Sequence, residues 1–175
     1  MLKKLFMVAL VAVGILMIAV ATRPSEFHVE RTTVIEAQPG AIYPLISDFE
    51  ESLRWSPWAD LDPNMQKTFS GADEGVGQVY AWSGNDAVGA GEMKMVEVQP
   101  NERVRMELHN TRPFESTSMT AIELEPVDEG TRVVWSLSGR FNLMERAFSL
   151  FFSMDEMVGP DFERGLSRLK ALVES

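Results

Sequence analysis

An α+β fold, one antiparallel sheet covered by a long C-terminal helix, is what this sequence predicts, and three observations predict it. Between Gln66 and Gly139, short runs of β-type residues are separated by turn signals with no helical pattern among them. From Asn142 to Glu174 the apolar residues recur at helical spacing instead. Ahead of both, Leu5 to Ala21 is 17 residues without a charge, a side-chain amide or a proline, which is no surface helix of a water-soluble fold.

That N-terminal segment has two readings. A membrane-crossing helix needs about 17 to 25 apolar residues, whereas a cleaved signal has an apolar centre of about 7 to 15. The length favours a transmembrane anchor over residues 1–21. Ala19-Val20-Ala21, just ahead of Arg23-Pro24, is nevertheless a small-x-small triplet of the kind a signal peptidase accepts. Either way Lys3 and Lys4 are expected to stay in the cytoplasm. The expected location is therefore the cell (inner) membrane, single-pass, with the domain on the periplasmic side, or the soluble periplasm after cleavage. Residues 22–26 read as a linker and residues 27–175 as the domain.

Phe27 to Ala37 reads as the first strand, with Phe27, Val29, Thr33 and Ile35 on one face. Pro39 suits a first helical turn, and Ala41 to Phe49 makes a short helical segment interrupted by Pro44. Trp55-Ser56-Pro57-Trp58 is too punctuated to be regular. Five or six strands follow in a meander, with turns at residues 71–75, 83–86, 100–101 and 128–130. Val104, Met106 and Leu108 share one strand face and Val133, Trp135 and Leu137 another, so one side of the sheet is covered and the other wet. The cover comes last. Gly159-Pro160 predicts a break there, with a short helix to about Met157 and a long one from Pro160.

The 175 residues suit one domain, and 45% hydrophobic with 24% charged residues is ordinary globular composition. There is no cysteine, which excludes disulfides and thiolate metal sites. Lys3 and Lys4 aside, the domain sets 26 acidic side chains against 14 basic ones. Such a field repels phosphate backbones, so no nucleic acid partner is expected.

Several segments carry a family likeness: Ile35-Glu36-Ala37-Gln38-Pro39, Trp55-Ser56-Pro57-Trp58, Tyr80 to Asn85, Val88 to Met93, Gly130 to Trp135, and Met154 to Glu163. On these the chain, from about Phe27 to Glu174, resembles the bacterial SRPBCC proteins, the START-like polyketide cyclase/dehydrase group. The resemblance implies a helix-grip fold, a bent antiparallel sheet of six or seven strands around a long C-terminal helix with a cavity between them. It also implies a hydrophobic small-molecule partner. No catalytic residue carries over, because members of the group bind lipids, sterols or polyketides and only some catalyse a reaction.

Trp55, Trp58, Tyr80, Trp82 and Trp135 are a heavy aromatic load that either fills the core or lines that cavity. Tyr80 and Trp82, on a strand beside two glycine-rich turns, suit the cavity best. Met93, Met95 and Met106 offer flexible thioethers to a pocket or to an irregular core. Phe151 and Phe162 on the final helical face complete the candidate lining. Phe151, Phe152, Met154 and Met157, beside Gly159-Pro160, read as a packed helix, a lid or an element dipping into the bilayer. Arg31 is in register with the apolar face of its strand and either meets Asp155, Asp161 or a ligand acid group, or snorkels to water.

His28 and His109 fall on polar strand faces and suggest no metal ligation. Gly75-Val76-Gly77 and Gly89-Ala90-Gly91 lack the third glycine and following helix of a dinucleotide loop, and no phosphate-loop lysine or nucleophile elbow occurs. No cofactor, metal or catalytic residue is therefore expected. The leading expectation is binding of a lipid-like, isoprenoid or polyketide-like molecule. The alternatives are a cyclase or dehydratase, and an envelope protein-interaction module with a filled cavity.

Overall fold

The computed structural model describes residues 2–175. A helix, α1 (Leu2–Thr22), leads into strand β1 (Glu26–Ile35) and two short helices, α2 (Pro39–Ser47) and α3 (Phe49–Ser52). Six strands follow: β2 (Gln66–Gly71), β3 (Gln78–Ser83), β4 (Ala90–Gln99), β5 (Arg103–Arg112), β6 (Ser116–Val127) and β7 (Gly130–Arg140). Helices α4 (Leu143–Phe148) and α5 (Met154–Val173) close the chain.

The seven strands form one antiparallel sheet in the order β1-β7-β6-β5-β4-β3-β2. Short turns make β2 to β7 a meander, and β1 is added to the free edge of β7. The β6–β7 turn depends on Gly130, at φ 135°, because a Cβ there would strike the carbonyl of Ile35. This α+β arrangement, with its C-terminal helix against the sheet, is consistent with a helix-grip fold.

Helix α5 differs from the sequence expectation: it runs unbroken through Gly159 and Pro160. The start is set upstream by Ser153, whose hydroxyl accepts from the Glu156 amide at 3.1 Å, with Asp155 and Glu156 in the positive first turn. Tertiary contacts then hold both ends of the helix. Arg31 of β1 pairs with Asp155 and Glu163, while Lys170 Nζ donates to the Val34 carbonyl at 2.6 Å and Glu174 accepts from the Glu36 amide at 2.8 Å. These contacts offset the amide that Pro160 lacks.

Phe162, Leu166 and Leu169, spaced at four and three residues, are the buried face of α5. They meet Val29, Trp55, Met95, Val104, Met106, Ile122, Val133, Trp135 and Leu137 in one continuous core. Gly165 allows the approach: a Cβ there would lie 2.7 Å from the Trp135 ring. The Trp135 and Phe162 rings stack at 4.0 Å and 4°, and Trp55 and Trp58 meet Trp135 edge-on. Phe148, Phe151 and Phe152, placed with this face by helical spacing, instead lie exposed, because α4 ends at Phe148 and the connection to α5 turns them outward.

Helix α1 lies outside this core. Its exposed apolar residues, from Phe6 to Ile18, are distributed around the whole circumference. Among the described residues no helix is long and apolar enough to cross a membrane. The expected transmembrane span over residues 1–21 is thus unsupported, and what stands is a helix of 21 residues. Arg146 of α4 ties its end to the domain, donating to the carbonyls of Ala21 and Arg23 at 2.7 and 2.6 Å.

Candidate functional site

Strand register brings one row of side chains straight across the concave face. Phe27 pairs with Gly139, Gly139 with Ser118, Ser118 with Leu108, Leu108 with Met93, Met93 with Tyr80, and Tyr80 with Phe69. All seven strands contribute. The next row inward, Val29, Leu137, Thr120, Met106 and Met95, is completely buried. In the outer row, by contrast, Phe27, Ser118, Leu108 and Met93 are only half-buried, as are Trp82 and the facing α5 residues Met154 and Val158.

The gradient follows from what packs on each row. Helix α5 lies mainly on β1 and only marginally on β7, so it covers the β1 side of the sheet and leaves the β4–β6 part of the outer row half-buried. The middle of the row is shallow. Gly139 has no side chain, its place being taken by the Phe27 ring, which a Cβ would meet at 2.6 Å, and Ser118 is small. The result is a half-buried apolar strip, a candidate groove, with an aromatic wall, Phe69, Tyr80 and Trp82, whose rings stack in series at 5.3 and 5.6 Å.

Tyr80 is the buried member of that wall, and burial pushes its phenol above the usual tyrosine range. Its ring also approaches Phe49 of α3 at 6.1 Å. The Trp82 indole donates to the Val88 carbonyl at 3.1 Å, and its ring covers Gly91. That hydrogen bond fixes the wall without using the groove.

The other residues singled out from sequence are dispersed. Trp55, Trp135, Phe162, Met95 and Met106 belong to the packed core. Trp55 Nε1 donates to the Leu45 carbonyl and Trp135 Nε1 to the Thr120 hydroxyl, so neither indole is left for a ligand. Trp58 is half-buried and donates to Asp161 at 3.1 Å. Phe151 is 75% exposed and lies outside the groove. Phe27, Leu108, Ser118 and Val158 carry no local sequence signal of a lining role, because only register and helix placement bring them, with Met154, to Met93, Tyr80 and Trp82.

Arg31 resolves into an ion cluster on the inner side of the α5 entrance. Its Nη1 and Nη2 donate to Asp155 at 2.7 and 3.0 Å, and its Nε donates to Glu163 at 2.7 Å. The guanidinium lies over Gly159, where any Cβ would strike it. Asp161, the other partner considered, bonds Trp58 and Arg164 instead. The hydrogen bonds from Arg31 hold the Asp155 carboxyl below the usual carboxylate range. Because its folded value is depressed, Asp155 contributes stability above the unfolded value of about 3.9 and loses it as pH falls through the folded one. Asp155→Asn is therefore expected to lower the melting temperature at neutral pH, with the gap from the parent closing below about pH 4. A gap that persists unchanged in acid would place the effect elsewhere.

His28 bonds Ser138 and Glu30 on the outer face, and His109 bonds Thr117. Among the described residues no group of three His, Cys, Asp or Glu side chains is disposed to hold a metal. Two depressions lie away from the middle of the groove. One of about 200 Å³ sits between α3 and the β2–β3 edge, lined by Asp48, Phe69, Asp73 and Gln78. Another, of about 810 Å³, is a wide surface hollow between α2 and the β4–β5 turn, lined by Glu102, Glu123 and Glu125. Both are lined by several carboxylates, with Arg103 beside those of the second.

Solved structures share this architecture at low identity, which speaks for the fold alone. Protein CV1439 from Chromobacterium violaceum is 19% identical, with a TM-score of 0.61 over 87% of this chain and 99% of its own. The Aha1 dimer from Colwellia psychrerythraea is also 19% identical, with a TM-score of 0.61 over 85% and 96% of the two chains. Ara h 8.0201 is 10% identical, again with a TM-score of 0.61, over 85% and 97%. No functionally curated protein matches the chain. The family model described as polyketide cyclase / dehydrase and lipid transport matches residues 26–174, nearly the whole length, and the chain belongs to that family.

Proposed function

We propose that this domain binds a hydrophobic small molecule, lipid-like, isoprenoid or polyketide-like, in the outer half of the space between sheet and α5. The observation that carries the reading is the row from Phe27 to Phe69, half-buried from Phe27 to Met93 and apolar but for Ser118 and the Tyr80 hydroxyl, beside a buried inner row. A ligand laid along that row removes apolar surface from water, at roughly 25 cal/mol per Å², without displacing the core. The acidic surroundings favour a neutral or cationic molecule over an anionic one.

In this reading α1 holds the domain at a membrane. The 17 uncharged residues from Leu5 to Ala21 support it, as do apolar side chains exposed around the whole helix, an arrangement that calls for lipid or a large apolar interior. The basic pair Lys3-Lys4 at the helix start supports an orientation with the domain on the extracytoplasmic side, the periplasm of a bacterium, at the inner membrane.

Native mass spectrometry of the full chain, released from nanodiscs made with the membranes of its expression host, tests the reading. A stoichiometric apolar adduct is expected. A chain that stays free of adducts after incubation with mixed lipids and isoprenoids would overturn it. One observation favours a second reading, a cyclase or dehydratase: the Tyr80 hydroxyl, a neutral phenol, stands in the row as a candidate proton donor. Tyr80→Phe distinguishes the two, since a binding groove keeps its ligand and an enzyme loses turnover.

A further inference from the structure

The half-buried row lies toward one particular end of the sheet. β1 begins there, directly after α1, and β7 ends there, directly before α4. The β3–β4 and β5–β6 turns lie at the same end, as the register of Phe27, Gly139, Ser118 and Leu108 requires. Leu143, Met144, Phe148, Phe151 and Phe152 project from α4 and its connection to α5 at this end, all more than half exposed. Phe114, at the tip of the β5–β6 turn, joins them at 63%. A cluster of large apolar side chains of this kind on a soluble surface calls for a covering partner.

Two observations identify the cover. First, Arg146 of α4 donates to the last carbonyls of α1 at Ala21 and to Arg23, so the cluster is fixed beside the point where the all-round apolar helix ends. Second, charge is distributed unevenly between the two ends of the sheet. The β2–β3, β4–β5 and β6–β7 turns carry Asp73, Glu74, Glu102, Asp128 and Glu129 and no basic residue. The α1 end instead gathers Arg23, Arg112, Arg140 and Arg146 among Glu26, Asp62, Asp86, Glu115, Glu145 and Glu156, with Asp155 paired to Arg31. An acidic protein thus turns its less acidic, apolar end toward α1, which weakens repulsion from anionic lipid headgroups.

We propose that this end is a membrane-facing lip: Leu143, Met144, Phe148, Phe151 and Phe152 enter the surface layer of the bilayer that holds α1, and the groove opens onto lipid rather than water. The proposal rests on the tether in the preceding reading and adds the route by which a ligand enters, laterally from the membrane, past Met154 and Val158. Helix α4 then acts as an interfacial element, its short length offset by the anchor beside it.

The chain has no cysteine, so single-cysteine labelling is clean. Full-length Phe151→Cys, Ile15→Cys and Val76→Cys variants, each carrying a nitroxide, would be reconstituted in vesicles of phosphatidylethanolamine and phosphatidylglycerol. Collision with oxygen is then compared with collision with a water-soluble nickel chelate. The expected result is an apolar signature at Ile15 and at Phe151, with Val76, in the β2–β3 turn at the far end, fully aqueous. An aqueous Phe151 beside an apolar Ile15 overturns the lip and leaves the tether standing. An aqueous signature at both positions overturns both. An apolar Phe151 with an aqueous Ile15 supports the lip without the tether. Short Phe151–Phe151 spin distances that persist without lipid would assign the cluster to a second copy of the chain and overturn the proposal.

Discussion

Trp135→Ala is expected to destabilise the domain by about 3–5 kcal/mol, the range for removing a large buried aromatic side chain. The ring is 6% exposed, stacks on Phe162 at 4.0 Å, and receives Trp55 and Trp58 edge-on. Aromatic pairs contribute about 0.5–1.5 kcal/mol beyond their buried area, and alanine removes three at once. The change also empties the space above Gly165, which α5 cannot easily fill because Arg31, Lys170 and Glu174 fix it to β1 and its following residue. In denaturant the midpoint should fall with an unchanged slope, and the melting temperature should drop by about 10 °C or more. Trp135→Phe should restore most of the loss, short of about 1 kcal/mol for the hydrogen bond to Thr120. A loss below about 1 kcal/mol for alanine would mean that the aromatic cluster is not the packing centre of the fold.

The same cluster separates two roles that aromatic residues share in the sequence. Trp55, Trp58 and Trp135 are as apolar and as large as Tyr80 and Trp82, and nothing local distinguishes a ring that fills a core from one that walls a groove. The distinction depends on which strand row α5 covers, and that is a matter of helix placement. Gly165 is its physical origin, since the missing side chain lets α5 settle onto Trp135 and seal the inner half. Strand alternation, by contrast, was legible directly: Val104, Met106 and Leu108 share the concave face of β5, as Val133, Trp135 and Leu137 do on β7.

Gly159-Pro160 shows how a local signal is overruled. The pair reads as a helix break, yet α5 begins at Met154 because Ser153 caps it and Arg31 draws Asp155 and Glu163 to one side. Those carboxylates are eight residues apart, about two turns, and share a face only if the helix is continuous. Assuming a break hid Glu163 as a partner of Arg31. The groove itself was illegible for a related reason: Phe27, Ser118, Leu108 and Met93 are far apart in the chain, and only the pairing of five successive strands aligns them.

Ser118→Phe is expected to empty the groove while leaving the fold intact. Ser118 lies in the shallow middle of the row, next to Gly139, where a phenyl ring would occupy the volume assigned to the ligand. Because the position is half-buried and opens outward, the ring has somewhere to go, and overpacking of the 1–3 kcal/mol kind seen in closed cores is avoided. Occupancy by the co-purifying apolar molecule, read by native mass spectrometry of the full chain, should fall at least about tenfold, equivalent to about 1.4 kcal/mol. The matched control is Thr117→Phe, one residue earlier and therefore on the opposite, exposed face of β6, which should bind as the parent does. Equal occupancy in both variants, with unchanged melting temperatures, would place any ligand away from this row. A loss in both would trace to the sheet as a whole. Loss in Ser118→Phe alone would tie binding to the side of the sheet that α5 leaves half open.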